Sequence, residues 1–141
     1  DICREVVDAM ETLHPTRTFR FVAGAGNTEG EWDRDRIVRA LSNLMTNAVN
    51  YGDQAAEVTL SVEGQEDFVE VRVHNRGNPI PPELQARIFE PFTRAESAAD
   101  REGLGLGLFI VREIVRAHGG TVEVASGEGE GTTFTVRLSR R

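Results

Sequence analysis

Two pairs of adjacent strands, with helices before and between them, constrain this 141-residue chain more than any other feature. Residues 56–62 (AEVTLSV) and 68–74 (FVEVRVH) alternate at period two, with a hairpin turn over residues 64–67. Residues 121–125 and 132–138 repeat the arrangement around a glycine-rich turn at 126–131 (SGEGEG). Ahead of the first pair lies a long helix, capped by Asp33 or Asp35 and stopped near Tyr51-Gly52. Its apolar face carries Ile37, Leu41, Leu44, Met45 and Ala48. Residues 17–23 read as a strand, 83–88 as a short helix, and Leu108, Val111, Ile114, Val115 and His118 recur at the spacing of a final helix. Strict strand–helix alternation, the mark of a doubly wound dinucleotide fold, is missing. The order predicts an α+β, two-layer sandwich: a mixed, mostly antiparallel sheet covered on one face by about three helices.

Ile2, Val6, Val7 and Met10 form a helical pattern ended by Pro15. Residues 1–14 are expected to be a linker or the end of an upstream helix, and 15–141 the functional domain. The first residue, Asp1, is not a methionine, and a longer parent polypeptide is expected. A net charge of −7 argues against nucleic-acid binding, which rewards a basic patch. No apolar stretch has the length of a bilayer span, so no membrane contact by this domain is expected. A single cysteine, Cys3, leaves no internal disulfide and suits a reducing compartment. Every basic residue is an arginine; without lysine the standard P-loop is excluded.

The chemistry-bearing segments are scattered. Gly103-Leu104-Gly105-Leu106-Gly107-Leu108 feeds directly into the last helix. Glycines at a helix N-terminus bare backbone N–H groups at its positive end, a natural seat for an anion such as a phosphate chain. Asn43 and Asn47, four apart, share a helix face, and an amide oxygen is a hard neutral ligand suited to Mg²⁺ beside phosphates. The stretch NRGNPI (75–80) follows a strand, FEPF (89–92) comes next, and GEGT (129–132) closes the set. Alone, each has a plainer reading: exposed polar side chains on a helix, a turn glycine at Gly77, core packing for Phe89 and Phe92, a surface charge at Arg94. His74 and His118 read as structural, with no metal-ligand spacing.

Taken together, in this order, the segments resemble the ATP-binding catalytic domain of sensor histidine kinases, within the superfamily of gyrase, heat-shock chaperone, histidine kinase and mismatch-repair ATPases. The similarity runs over roughly residues 15–140. LSNLMTNAVNYG looks like the N box, which includes Asn43, Asn47, Asn50 and Tyr51. NRGNPI looks like the G1 box, FEPF the F box, GLGLGL the G2 box and GEGT the final glycine box. The resemblance implies ATP and Mg²⁺ as cofactors, with Asn47 on the metal and Asn75 facing the adenine. It implies Gly103, Gly105 and Gly107, with Leu104 and Leu106 between them, against the phosphates. Thr132 supports the adenine end, Ile80 and Leu108 line an apolar wall, and Gly77 and Pro79 belong to the G1 turn. Residues 93–102 would form a mobile lid with Arg94 at its base.

Three departures from the family pattern carry consequences. Asn75 stands where an aspartate is usual; an amide can match adenine or, rotated, guanine, so weaker ATP/GTP discrimination is expected. Pro79 replaces a glycine and supplies no N–H. Asn50 replaces a basic residue near the phosphates, and modest ATP affinity is expected. Hydrolysing relatives have a glutamate at the place of Asn43, and an amide cannot serve as general base. Transfer to a protein side chain is therefore expected over hydrolysis.

The family's acceptor is a histidine on a separate dimeric helical hairpin; His14, His74 and His118 do not have its context. The expected partners are that phosphoacceptor domain of the same parent and, through the full-length protein, a response regulator. The fragment is expected to be a monomer without self-phosphorylation, its parent a homodimer, and its place the bacterial cytoplasm or the cytoplasmic face of the inner membrane. An anti-sigma-type serine kinase and a degenerate module without nucleotide affinity remain alternatives.

Overall fold

Period-two alternation is realised in one five-stranded sheet. The computed structural model describes residues 2–26, 28, 30, 32–52, 55–77, 79–90 and 107–139. The strands are β1 (Phe19–Ala23), β2 (Val58–Gly64), β3 (Phe68–Asn75), β4 (Thr121–Gly127) and β5 (Gly131–Ser139), arranged β1-β2-β3-β5-β4. β1 and β2 run parallel, while β2–β3, β3–β5 and β4–β5 are antiparallel. The helices are α1 (Ile2–Leu13), α2 (Arg34–Tyr51), α3 (Pro82–Gln85) and α4 (Gly107–Ala117). This is the expected mixed α+β architecture.

The register explains how one face becomes core. Leu60 pairs with Val73, Val73 with Phe134 and Phe134 with Val124; Val62, Val71, Val136 and Val122 form the next row. Most of these side chains are buried, and alternation puts them all on the helix-facing side. α2 meets them with Ile37, Leu41, Leu44, Met45 and Ala48, and α4 with Val111, Ile114 and Val115. Each fully buried side chain of this kind contributes about 1.5–3 kcal/mol. α1 packs on α2 and β1 and adds Cys3, Val6, Val7 and Met10 to the same core. The opposite face is polar: buried Glu70 is held by Arg72 at 2.5 Å and Arg137 at 3.1 Å, and Arg137 reaches Glu123 at 3.5 Å.

Several boundaries differ from the sequence-based expectation. β2 begins at Val58, whose N–H donates to Thr18 O (3.0 Å), and extends through Gly64, so residues 56 and 57 precede the strand. The short helix is a single turn, Pro82–Gln85, rather than residues 83–88. β4 continues to Gly127, so Ser126 is a strand residue opposite Thr132 and not part of the turn. Strand length follows what the partner strand can pair with, a long-range property that local glycine content hides.

The start of α2 is tied to the far end of the fold. Asp33 caps it, Oδ1 accepting from the Arg36 N–H at 3.3 Å. The Asp33 N–H donates to His118 Nε2 (3.1 Å), while His118 Nδ1 donates to Ile114 O (2.8 Å). Trp32 Nε1 donates to Ser139 O at 2.7 Å. The structural reading of His118 holds: it joins the end of α4 to the cap of α2.

Candidate nucleotide-binding site

At one end of the helix-facing side the apolar rows give way to a polar one. Asn75, the last residue of β3, stands opposite Thr132, the second residue of β5, and Thr132 stands opposite Ser126 of β4. Asn75 and Thr132 are each only 4% exposed. Ser126 Oγ and Thr132 Oγ1 are 2.7 Å apart, and the Ile80 N–H donates to Ser126 Oγ at 2.8 Å. Gln85 Nε2 donates to Ile80 O (2.7 Å) and to Ser126 O (3.3 Å), fastening the segment after β3 to β4. Amides and hydroxyls removed from water demand hydrogen-bonding partners, so this row suits a ligand with a planar edge of donors and acceptors.

The end of α2 reaches the same place. The Gly52 N–H closes the helix on Ala48 O at 2.8 Å, with an ordinary φ of −77°. Glycine is needed here for space: a Cβ would lie 2.6 Å from Ala48 O and 3.2 Å from both Cβ and Nδ2 of Asn75. At the other end of this helical edge, Asn43 Nδ2 donates a long 3.4 Å bond to Gly107 O, the first residue of α4. Asn47 is half-buried one turn beyond Asn43, and Asn50 is half-buried in the last turn, which Tyr51 completes. One edge of α2 therefore runs from the start of α4 to the buried Asn75.

The other predicted site residues fall around this track. Ile80 is buried, and Leu108 is partly buried against the core cluster. Gly77 and Pro79 are exposed on the connection after β3. Arg94, Gly103, Leu104, Gly105 and Leu106, together with Phe92 and the proposed lid at 93–102, lie outside the described residues. Phe89 packs edge-on against Phe134, ring centres 5.9 Å apart, in keeping with a core role.

Two participants escaped sequence reasoning. Ser126 was hidden in a glycine turn, although its spacing of two from Val124 was a usable signal. Gln85 left no such mark, and His74 keeps the structural role read for it. His74 Nε2 donates to Glu130 O (2.9 Å) and pins the β4–β5 turn from the opposite face. At Gly131, φ is +78° and a Cβ would sit 2.9 Å from His74 Nε2, so glycine is required there on both counts.

Among the described residues, no group of histidine, cysteine, aspartate or glutamate side chains could hold a metal ion. The donors along the track are amides and hydroxyls, which fit a cation only when a ligand brings anionic oxygens of its own.

Comparison with known proteins gives the family and the fold. Residues 32–141 match the family model described as histidine kinase-, DNA gyrase B-, and HSP90-like ATPase. The chain belongs to this family. Within it, this ATPase-family domain is 38% identical over 138 residues to the sensor histidine kinase CusS of Escherichia coli K12, covering 95% of the chain. It spans 28% of the length of CusS. Among solved structures, the nucleotide-free catalytic domain of histidine kinase ThkA superposes with a TM-score of 0.83 at 31% identity, covering 99% of this chain and 90% of that one. ThkA in complex with the response regulator protein TrrA aligns with a TM-score of 0.82 at 29% identity, over 99% of this chain and 40% of that one. Among the described residues, no helix is long and apolar enough to cross a membrane.

Proposed function

We propose that this domain binds Mg·ATP along the track from Gly107 to Asn75 and serves as the phosphate-donating half of a sensor histidine kinase. The observation that carries the reading is the meeting of Gly52, Asn75, Thr132 and Ser126 at one end of α2 while Asn43 touches Gly107 nearer its middle. The buried amide and hydroxyl row takes the purine edge, with Ile80 and Leu108 flanking the ring. Gly103, Gly105 and Gly107, with Leu104 and Leu106, take the phosphates at the start of α4, helped by Asn50, Tyr51 and Arg94. The G1 turn residues Gly77 and Pro79 border the base.

Asn47 would hold Mg²⁺ through its side-chain oxygen, and Asn43 orients the α2 edge toward α4. Bound there, Mg²⁺ neutralises charge on the phosphates; the protein otherwise contributes position and backbone donors. Nothing along the described track can deprotonate water, since amides and hydroxyls are not bases at neutral pH. That supports transfer to a protein acceptor, a histidine on a separate helical hairpin of a homodimeric parent, over hydrolysis. The parent then passes the phosphoryl group to a response regulator, as the ThkA–TrrA pairing suggests by likeness, with this domain on the cytoplasmic side.

Two measurements test the reading. Calorimetric titration of ATP into the 141-residue chain should show binding that strengthens with Mg²⁺. Incubation with radiolabelled ATP should leave the chain unlabelled until a phosphoacceptor hairpin is added. Absence of ATP binding would reduce the domain to a docking module, and labelling of a serine on a partner would point to the serine-kinase alternative.

A further inference from the structure

We infer that Arg17 is a positioning residue for the nucleotide site: from the turn before β1 it clamps the last turn of α2, which seats Gly52 against Asn75. The inference rests on the proposal that the Asn75 end receives the base. The last four carbonyls of a helix have no donor within it, and helix ends fray unless something holds them. The last turn of α2 has no basic residue of its own. A cation is favourable at this negative end, and here it comes from another part of the chain. Arg17 Nη1 donates to Val49 O at 3.1 Å, across 32 positions of sequence.

The guanidinium arrives from a fixed base. The His14 N–H closes α1 on Met10 O at 2.9 Å, and the Arg17 N–H returns to His14 O at 3.0 Å. Pro15 is the second residue of the tight turn so formed, where its preset φ fits. The next residue, Thr18, accepts the Val58 N–H on its carbonyl at 3.0 Å, where β2 begins. Behind the turn, α1 is anchored in the core by Val6, Val7 and Met10. Backbone hydrogen bonds therefore hold the chain on both sides of the Arg17 side chain.

On its other flank the same turn of α2 meets the site. The Gly52 N–H bonds Ala48 O, and a Cβ on Gly52 would lie 3.2 Å from both Cβ and Nδ2 of Asn75. The buried amide thus rests directly on the end of the helix, which stands between Arg17 and Asn75. Without the clamp the turn frays, and the surface that seats Asn75 is lost with it. Part of the binding free energy then goes into ordering the turn. Such a clamp affects every adenine nucleotide equally, whereas a cation acting on the phosphates favours the more highly charged ligand.

The test compares dissociation constants of Mg·ATP and Mg·ADP for the 141-residue chain and its R17M and R17K variants. Methionine keeps an apolar stem and removes the donor, while lysine keeps a charged N–H. R17M should weaken both nucleotides by the same factor, about three- to tenfold, and R17K should stay within about twofold of the parent chain. Unchanged affinity in R17M overturns the inference, as does a loss clearly larger for ATP than for ADP, or a failure of R17K to recover binding. V69A, a core change at the opposite end of β3 from Asn75, lowers stability without touching the clamp and should bind as the parent does. A loss in V69A equal to that in R17M would assign the effect to general loosening and overturn the inference. If R17M does not fold, the parent chain decides: Mg·ADP should slow hydrogen exchange at the Gly52 amide and at Arg17 Nε–H together, by about threefold or more. Any result without slowing at both sites overturns it. Failure of the parent chain to bind either nucleotide sinks the proposed function and this inference with it. Parent binding that R17M leaves intact sinks the inference alone.

Discussion

Asn75 and Thr132 face each other across β3 and β5, 57 positions apart in sequence by their numbering, and both are almost completely shielded from solvent. A buried amide beside a buried hydroxyl, at the point where the valine and phenylalanine rows end, marks the base-facing end of the proposed site. Its chemistry leads to the first prediction. Asn75→Asp should widen the preference for ATP over GTP by about tenfold, because a carboxylate accepts from the adenine amino group and repels the guanine carbonyl. The same change places a charge in a buried position, so the nucleotide-free chain should lose thermal stability that ATP restores. Parallel titrations and melting curves check both effects.

Asn47→Ala should weaken binding of Mg·ATP by about tenfold or more while changing metal-free ATP binding little, since the lost group is an oxygen ligand and not a contact to the base. Titrations with and without Mg²⁺ decide it. Equal losses in both conditions would assign Asn47 to the nucleotide itself.

Gly52→Ala separates space from backbone freedom. The φ of −77° suits alanine, so any penalty comes from crowding Ala48 O and the Asn75 side chain. Overpacking of this kind costs about 1–3 kcal/mol, read in urea unfolding. Nucleotide affinity should fall as well, because the atoms displaced are Cβ and Nδ2 of Asn75.

Phe134 is 1% exposed, pairs with Val73 and Val124, and meets Phe89 edge to face. Phe134→Ala should cost about 3–5 kcal/mol in denaturant unfolding. Val7, also 1% exposed, tests whether α1 is part of the cooperative unit. Val7→Asp should lower the unfolding midpoint of the whole domain in one transition; a separate early transition would mark α1 as an appendage.

Burial pushes the Cys3 thiol up to about 11. The folded state therefore holds this proton more tightly than the unfolded chain does. Stability from Cys3 is complete below the ordinary thiol range of about 8.5 and is lost as pH rises from there toward 11. A disulfide reagent at pH 8 should label Cys3 slowly in the native chain and fast in urea, because the thiolate is the reactive form.

Local pattern carried much of this molecule. The spacing of Leu41, Leu44, Met45 and Ala48 declared the buried face of α2, and the alternation from Val69 to Val73 declared the inner face of β3, because apolar burial leaves a helical or twofold period in any chain that folds this way. Asn43, Asn47 and the glycine run were visible as a set, since their chemistry demands those residue types at short spacing. The likeness to the kinase catalytic domain came from the joint order of these segments.

Ser126 shows what pattern could not supply. Its neighbours are glycines, so it read as turn, and only the antiparallel register with Thr132 made it a strand residue with a side chain in the polar row. The same holds for Gly52, which local rules explain as a helix stop and the tertiary structure explains as room for Asn75. The chain alone determined which residues are apolar, which are flexible and which can bind a phosphate or a cation. The packing of β5 between β3 and β4 decided which of the polar residues meet, because strand partners far apart in sequence are chosen by the fit of the whole buried layer and by no short stretch within it.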